Sequence, residues 1–449
     1  MSLEHTSEWR RLRETAAAIF KAGIKAVDPE DCINRRLRRT ADVLWVDEVA
    51  YDLARINKLY VIGAGKASAA MALAVERLLG ERIDDGVVIT KYGHGRTLQR
   101  CRLLEAGHPV PDENGLRAAD ALLDLVATAG PDDLILCLFS GGGSALAPAP
   151  VAGISLADKQ ETTGLLLACG ATIQEINTIR KHLSRLKGGR LCRAAGGARI
   201  VSLILSDVIG DDLDSIASGM TAPDAGTFGD CLEILSRYGL EEEVPVAVGR
   251  HISAGAKGRA EETPKEGDPA FAPVRNLIVG SISDALSAAG REAGAQGFAP
   301  LILTSMLHGE AREAAKVLCS IAAEVRRSGL PVPAPACLLS GGETTVTIRG
   351  EGLGGRNMEF ALAAGIQLAG LERVLLLSAG TDGTDGPTDA AGAFADGTTV
   401  SRAQSLGISA VLHLAGNNSY RFFEPLGDLF VTGPTRTNVM DLQIVLIQP

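Results

Sequence analysis

Residues 338–365 read LLSGGETTVTIRGEGLGGRNMEFALAAG, and residues 374–391 read VLLLSAGTDGTDGPTDAA. In the first segment an apolar run is followed by alternating residues at 344–348, which predict a strand, and by a glycine-rich loop before a helical pattern from Met358. The second segment is an apolar run that passes at once into glycines and carboxylates, which predicts a buried strand ending in a polar loop. Strands that alternate with glycine loops and helices predict an α/β fold.

This stretch contains a candidate anion site next to a group of carboxylates. Arg356 and Asn357 stand where the glycine loop enters the helix, and N–H groups at such a start favour an anion, to which a guanidinium adds a planar fork. Asp382, Asp385 and Asp389 follow the second apolar run, and ligands of open parallel sheets bind beyond the carboxyl ends of strands. Single Asp-Gly pairs commonly form tight turns. Three carboxylates close to a basic glycine loop instead favour a site for phosphate with a divalent metal.

The composition bounds the class of protein. A chain of 449 residues predicts two or three domains, and 46% apolar residues with 52 glycines and few aromatics are typical of α/β proteins. A net charge of −10 argues against a nucleic-acid surface. No apolar run is long enough to span a membrane, and the first residues lack a signal-peptide core. Eight cysteines without a CxxC pair predict reduced thiols in a cytoplasmic protein.

A second glycine motif lies near the start of the chain. The apolar run at 59–62 predicts a strand, and GAGKAS at 63–68 then leads into a helical pattern, so this turn can approach a phosphate. The dinucleotide-binding fingerprint fails because Ser68 replaces its third glycine and Lys91 follows the next strand where an acid is expected; the P-loop pattern fails as well. Lys66 stands at a helix start, where a cation is electrostatically unfavourable, which favours a role with a phosphoryl group over a solvated lysine.

Two further predicted strands end in polar residues. The strand at 134–139 opens into Ser140, Gly141, Gly142, Gly143 and Ser144, a nest of N–H groups and hydroxyls suited to a carboxylate or phosphate. A simple turn is the alternative, although three successive glycines carry an entropic penalty that a turn does not require.

The strand at 200–205 ends at Asp207. Strands that end in Gly63, Ser140 and Asp207 are expected to converge on one edge of a sheet. The basic run at 177–193 predicts a solvated helix face, which can also raise the potential of a cleft for an anionic substrate. His108, beside a proline, is interpreted as a structural hydrogen-bonding residue.

Taken together, the motifs resemble those of the type II glycerate kinases, the glycerate 2-kinase family whose C-terminal half is called the MOFRL domain. The resemblance covers nearly the whole chain, and several motifs in the same order are specific although each alone is weak. They are the segments 63–67, 107–111, 140–145, 180–184 with 187–190, 206–208, 340–344, 354–357 and 380–391.

The resemblance implies two α/β domains with the active site in the cleft between them. The first, at 1–245, is an N-terminal Rossmann-like or flavodoxin-like parallel sheet sandwich, whose first 50 or so residues are expected to be helical and to pack on the other lobe. The second, at 246–449, has a mixed sheet and contains the MOFRL module at about 335–447. The polar segment 257–273 is the best candidate for a linker or long surface loop.

The resemblance also implies the reaction, in which the γ-phosphoryl group of ATP passes to the C2 hydroxyl of D-glycerate with Mg²⁺. The family's functional positions correspond to Lys66, Asp207, Arg356 and Asp382. Lys66 and Arg356 are expected to contact the phosphoryl group or the substrate carboxylate, and Asp207 to orient or deprotonate the hydroxyl. Asp382 with Glu343 is expected to hold Mg²⁺, although Asp207 and Asp382 could exchange roles.

Asn357 and the nest at 140–144 complete the expected binding residues, and a homodimer is possible. Three other functions compete with this one: an NAD(P)-dependent hydroxypyruvate reductase, a kinase of a related small hydroxy acid and a non-catalytic anion sensor. The reductase has the glycine turn at 63–68 in its favour and lacks an evident hydride-transfer His/Arg pair. The family pattern differs at Met220, Met358, Arg436 and Met440, of which Arg436 bears most on substrate preference.

Overall fold

The computed structural model describes residues 3–449, with side chains from Trp9 onward. The chain divides into two compact units. Pro29–Val279 form the N-terminal unit, and Gly280–Pro449 together with the residues up to Asp28 form the C-terminal unit.

The strands are short and are interleaved with helices along most of the chain. The strands are β1 (Leu37–Thr40), β2 (Val43–Val46), β3 (Val49–Asp52), β4 (Leu59–Ala64), β5 (Asp85–Lys91), β6 (Cys101–Ala106), β7 (Leu134–Ser140), β8 (Arg199–Leu205), β9 (Val274–Gly280), β10 (Ala299–Leu307), β11 (Ala336–Gly342), β12 (Val374–Gly380), β13 (Gly392–Asp396), β14 (Leu429–Phe430) and β15 (Asp441–Ile447). The helices are α1 (Leu3–Ala26), α2 (Pro29–Arg36), α3 (Ser68–Leu79), α4 (Glu113–Val126), α5 (Gly143–Leu146), α6 (Leu156–Ala168), α7 (Ile173–His182), α8 (Arg190–Ala194), α9 (Phe228–Arg237), α10 (Val246–Ala256), α11 (Ile282–Ala295), α12 (Ala311–Ser328), α13 (Arg356–Gln367), α14 (Thr399–Ser405), α15 (Ala410–Ala415) and α16 (Ser419–Phe423).

The N-terminal unit is built on a six-stranded sheet in the order β6-β5-β4-β7-β8-β9. β4 pairs in parallel with β5 and β7, β5 with β6, and β7 with β8. This is the strand order of the Rossmann fold, so the predicted Rossmann-like sheet is confirmed. Every residue of β4 and β7 is buried, as expected for central parallel strands covered on both faces. The strand order reverses between β4 and β7, which is where such folds bind their ligands.

The N-terminal unit extends beyond the expected boundary at residue 245. β9 joins the edge of the sheet next to β8, and Ile200 N donates to the Pro273 carbonyl oxygen at 2.9 Å. The polar segment at 257–273 is a surface segment of this unit rather than a linker, because Phe271 packs on the core and the Glu262 carboxylate bonds to His182.

The first 50 residues are not helical throughout. α1 is the predicted helix, and it packs against α11 within the C-terminal unit. Residues 37–52 form a three-stranded antiparallel sheet instead of continuing the helical pattern. Ala41 and Asp47 adopt positive φ angles of 51° and 49°, which produce the tight turns between these strands.

The C-terminal unit has the predicted mixed sheet, in the order β10-β11-β15-β12-β13-β14. β10 and β11 are parallel, whereas β15 runs antiparallel to both β11 and β12. As a result, Asp441 at the start of β15 lies in register with Gly342 at the end of β11 and with Gly380 at the end of β12.

The segment at 344–348 does not form the predicted strand. Thr345 makes an isolated bridge with Glu310, and the Glu310 carboxylate accepts from Thr347 N at 3.2 Å. The Glu310 side chain therefore satisfies the Thr347 N–H, which a neighbouring strand would have paired.

None of the helices within residues 3–449 combines the length and the apolar character that crossing a membrane requires.

Candidate functional site

Two loops meet at the reversal of strand order in the N-terminal unit. Lys66 N donates to the Gly141 carbonyl oxygen at 2.9 Å, and Ala67 N donates to Ser140 Oγ at 3.0 Å. A side chain at Gly65 would overlap Ser140, so this glycine is required for the loops to approach. The contacts fix Lys66 beside the glycine nest that follows β7.

The nest is surrounded by the groups that the sequence singles out. The Asp207 carboxylate lies so close to the Cα of Gly141 that a methyl group there would overlap it. A methyl group on Gly142 would come within 2.9 Å of His108 Cδ2 and 3.4 Å of Lys66 Cγ. The structure thus brings Lys66, Asp207 and the nest together, as predicted from strands ending at one edge. His108, which the sequence analysis interprets as a structural hydrogen-bonding residue, also lies beside this nest.

The nest residues have different roles. Ser140 is buried and its hydroxyl holds Ala67 N, so it closes the loop. Gly143 is packed against the Ala64 carbonyl oxygen at the start of α5. Ser144 is half-buried and lines a cavity, and its Oγ lies 2.8 Å from Ser218 Oγ. Of the two serines, it is therefore Ser144 that is placed to meet a ligand.

Two adjoining cavities open at this edge, and both are lined by Gly142, Ser144 and Arg180. The smaller, of about 230 Å³, also contains Asp207 and Asn177. The larger, of about 430 Å³, is named here the basic cavity. Its lining includes the side chains of His108, Pro109, Pro111, Pro148, Lys159, Leu167, Arg180 and Lys187.

Ser68 has a structural explanation. Its buried hydroxyl donates to the Leu138 carbonyl oxygen at 2.8 Å and so joins α3 to β7. In the dinucleotide fingerprint this position is a glycine that allows close packing of helix and strand. Here a serine makes the same approach through a hydrogen bond.

In the C-terminal unit, Arg356 is bound by carboxylates of the chain itself. Its Nε and Nη2 donate to the two oxygens of Asp441 at 2.6 and 3.0 Å, and its Nη1 donates to Glu343 Oε1 at 2.5 Å. Burial alone would lower the pKa of Arg356, but the Asp441 and Glu343 carboxylates outweigh that effect and raise the pKa. Arg356 is a permanent cation in an acidic cluster.

The predicted anion seat at the start of α13 is filled by Asp385. Its oxygens accept from Asn357 N at 3.1 Å and from Met358 N at 2.8 Å. Burial raises the pKa of Asp385 to about 7, against the opposing effect of these two hydrogen bonds. Asn357 is also buried, and it donates to Asp441 at 2.9 Å and accepts from Ser378 Oγ at 2.7 Å. Both residues therefore organise the helix start.

The three carboxylates of 381–391 do not converge. Asp385 caps α13, Asp389 accepts from Tyr420 OH at 2.9 Å, and Asp382 accepts from the backbone and hydroxyl of Thr384, each at 3.0 Å. Within the described part of the chain, no group of three or more His, Cys, Asp or Glu side chains is arranged to hold a metal.

Sequence reasoning missed two residues of these sites. Asp441 begins β15 and carries no motif of its own, although its carboxylate accepts two hydrogen bonds from Arg356. Lys159 looks like a solvated lysine in the pattern of α6, yet it is buried and lines the basic cavity. For Asp441, the signal available was its position at the start of the apolar run that forms the final strand.

The fold and site define a two-unit α/β protein with a glycine nest, a lysine and a carboxylate at the switch point of a Rossmann-like sheet. Residues 15–253 match the model of a protein family described as "Domain of unknown function (DUF4147)", and residues 336–441 match the model of the MOFRL family. The chain belongs to the type II glycerate kinase family.

Similar proteins match over nearly their whole length. The glycerate 2-kinase of Pyrococcus horikoshii is 44% identical, with 97% of both chains covered, and a putative hydroxypyruvate reductase of Agrobacterium vitis is 43% identical, with 97% of this chain and 94% of the relative covered. The glycerate kinase from Thermotoga maritima whose crystal structure is known is 42% identical, and its fold matches with a TM-score of 0.85 over 98% of this chain and 100% of that chain.

Proposed function

We propose that this chain is an ATP-dependent kinase that phosphorylates the C2 hydroxyl of D-glycerate and forms 2-phosphoglycerate. The observation that carries the proposal is the placement of Lys66 and Asp207 against one glycine nest at the switch point. The full-length similarity to glycerate 2-kinases supports the same activity.

Phosphoryl transfer requires positioned reactants and stabilised charge more than covalent participation by the protein. Asp207 would orient the attacking hydroxyl or accept its proton, and Lys66 would contact the transferring phosphoryl group or the substrate carboxylate. The N–H groups of the nest and the Ser144 hydroxyl would hold an anionic group.

The acidic cluster of the C-terminal unit suits a divalent cation better than a bare anion. Arg356 already contacts Asp441 and Glu343, so its charge is balanced. Mg²⁺ usually takes one or two protein carboxylates and completes its shell with phosphate oxygens and water, which fits Asp382, with Glu343 as a second ligand. Bound there, Mg²⁺ would supply charge neutralisation on the phosphates.

Arg356 would contact the phosphoryl group or the substrate carboxylate through the guanidinium N–H groups that do not bond to Asp441 or Glu343. Its side chain is 34% exposed, whereas that of Asp441 is fully buried. Asp441 and Asn357 would therefore hold Arg356 in place rather than touch a ligand. Either assignment of Asp207 and Asp382 between base and metal ligand remains compatible with these contacts.

A reductase activity is the alternative that the name of the Agrobacterium vitis relative suggests. Ser68 replaces the third fingerprint glycine and is committed to a hydrogen bond with Leu138, which weighs against a dinucleotide at this turn. Incubation with hydroxypyruvate and NADH or NADPH should give no loss of nicotinamide absorbance.

The test is an ADP-release assay with D-glycerate, ATP and Mg²⁺, followed by identification of the product with enolase, which acts on 2-phosphoglycerate and not on 3-phosphoglycerate. ADP release with an immediate enolase signal supports the proposal. ADP release with an enolase signal that needs added mutase would assign the other hydroxyl. Assays with a panel of related hydroxy acids distinguish glycerate from a close analogue as the substrate. The cytoplasmic location and the homodimer stay predictions.

A further inference from the structure

Three cations line the basic cavity of the N-terminal unit: Lys159 of α6, Arg180 of α7 and Lys187. Lys159 and Lys187 are 8% and 1% exposed. The Lys159 ammonium donates to the Leu183 carbonyl oxygen at 3.2 Å, and that of Lys187 donates to the carbonyl oxygens of Ser144 and Ala147 at 2.9 and 3.2 Å. Neutral carbonyls orient these ammonium groups but do not balance their charge.

Among the described residues, none of the three cations makes a salt bridge, and the pKa values show the same imbalance. Burial lowers the pKa of Lys159 to about 7, and burial followed by repulsion from Lys159 and Arg180 lowers the pKa of Lys187. Burial also lowers the pKa of Arg180. Taking like charges out of water without a counter-charge is strongly unfavourable, so this cavity is built for an anion.

Other cations of the same basic run are paired, which makes the contrast specific. Lys181 lies 3.1 Å from Asp214 and 3.2 Å from Asp224, and Arg193 lies 2.6 Å from Asp268. The Arg185 guanidinium contacts the Asp120 carboxylate, and Arg190 lies 4.0 Å from Glu261. Among the residues that the structure describes, carboxylates pair with these four cations, which do not line the cavity, and none pairs with the three that do.

The rest of the lining combines polar side chains, such as Gln160 and Thr163, with an apolar part. Pro109, Pro111, Pro148 and Leu167 supply the apolar part, named here the proline and leucine wall, and Leu167 is 62% exposed. A cavity of about 430 Å³ is in the range of small-molecule sites and is much larger than a three-carbon acid needs. One carboxylate would also leave most of the positive charge of three cations unbalanced.

We propose that the basic cavity is the nucleotide site, in which the three cations bind the polyphosphate of a nucleoside triphosphate and the proline and leucine wall contacts its base. This inference rests on the proposed kinase function and adds the location of the phosphoryl donor. The shared lining at Gly142 and Ser144 places the polyphosphate end next to the nest, where Lys66 and Asp207 lie.

The test is calorimetric titration of the full-length protein with the Mg²⁺ complex of adenylyl imidodiphosphate, and separately with inorganic tripolyphosphate. Lys159→Met should weaken binding of both probes by at least about tenfold. Leu167→Glu changes an exposed residue of the lining with little risk to folding, and it should weaken binding of the nucleotide about fivefold or more. Arg185→Met is the matched control, because it removes a cation of the same run that does not line the cavity, and its affinities should equal those of the unaltered protein.

Unchanged nucleotide affinity in both Lys159→Met and Leu167→Glu overturns the inference. If the KM for glycerate rises in these variants while nucleotide affinity stays constant, the cavity holds the acid, and the kinase function stands without this nucleotide site. If the unaltered protein binds nucleotide in the expected pattern but releases no ADP with glycerate, the nucleotide site stands and the proposed acceptor is wrong.

Discussion

The Asp207 carboxylate is packed directly against the Cα of Gly141, with no space for a methyl group between them. Gly141→Ala should therefore displace Asp207 from the nest while leaving the buried strands β7 and β8 intact. Because misplacing a reacting group by about 1 Å can reduce a rate about 100-fold, we expect a loss of turnover with glycerate of that order. Steady-state kinetics measure the loss, and circular dichroism checks the fold.

Gly294→Ala is the matched control for this substitution. Gly294 lies within α11, and no atom of the described part of the chain comes within 4 Å of an added methyl group, so alanine should be tolerated there with normal turnover. Near-normal activity of Gly141→Ala would show that the position of Asp207 does not matter to the reaction.

Asp441 and Glu343 both contact Arg356, but their burial differs, and this predicts different losses of stability. Asp441 is fully buried and bidentate, so Asp441→Ala should lower the free energy of unfolding by about 3 kcal/mol. The Glu343 side chain is 44% exposed, so Glu343→Ala should lower it by less than about 1 kcal/mol. Urea denaturation of the two variants measures both values.

The comparison between these two variants is internal, since each removes one carboxylate from the same guanidinium. Equal losses of stability would mean that burial does not determine the strength of these pairs. Activity of Glu343→Ala, assayed across Mg²⁺ concentrations, reports separately on the metal role: a ligand should raise the Mg²⁺ requirement, whereas a residue that acts through Arg356 should not.

Lys66 lies beside Gly142 at the switch point, where an ammonium can meet a phosphoryl group or a carboxylate. Lys66→Ala should reduce turnover with glycerate about 1000-fold or more, because an electrostatic contact to developing charge is lost. Lys58→Ala removes an exposed lysine just before β4 and should leave turnover unchanged. Lys66→Ala with near-normal turnover and an unchanged circular dichroism spectrum would exclude the proposed role.

The parts of the fold that were predictable are those whose signal is local. Apolar runs at 59–62 and 134–139 identify central strands because such strands are buried on both faces. The strand predicted at 344–348 is wrong because alternation also suits an extended segment, and Glu310 satisfies its backbone. The boundary near 245 could not be read from composition, since β9 returns to the first sheet after a polar segment that resembles a linker.

The candidate site likewise contains residues that local sequence patterns could predict and residues that they could not. Lys66, Asp207 and Gly141 follow strands of one parallel sheet, so the topology alone brings them together. Asp441 reaches Arg356 through antiparallel pairing with β11 and β12, a long-range register that no local pattern encodes. The burial of Lys159 could not be predicted, because a buried lysine and a solvated one can occupy the same position in the pattern of an amphipathic helix.

Lys159 also predicts that nucleotide binding takes up protons in a pH-dependent way. Its pKa is lowered to about 7 by burial and by Arg180, with Lys187 and His108 also lining the cavity, so at pH 8 the ammonium is largely deprotonated in the free protein. A bound polyphosphate favours the charged form of Lys159 and raises its pKa. On binding, the protein should therefore gain at most about one proton through Lys159 at pH 8, and almost none at pH 6, where Lys159 is already protonated.

Titration of the imido nucleotide in buffers of different ionisation enthalpy measures this uptake. Because Lys187 and the nucleotide itself also exchange protons, the informative quantity is the uptake of the unaltered protein minus that of Lys159→Met, which should be large at pH 8 and vanish at pH 6. A difference that stays at zero from pH 6 to pH 9 would mean that the anion does not reach Lys159.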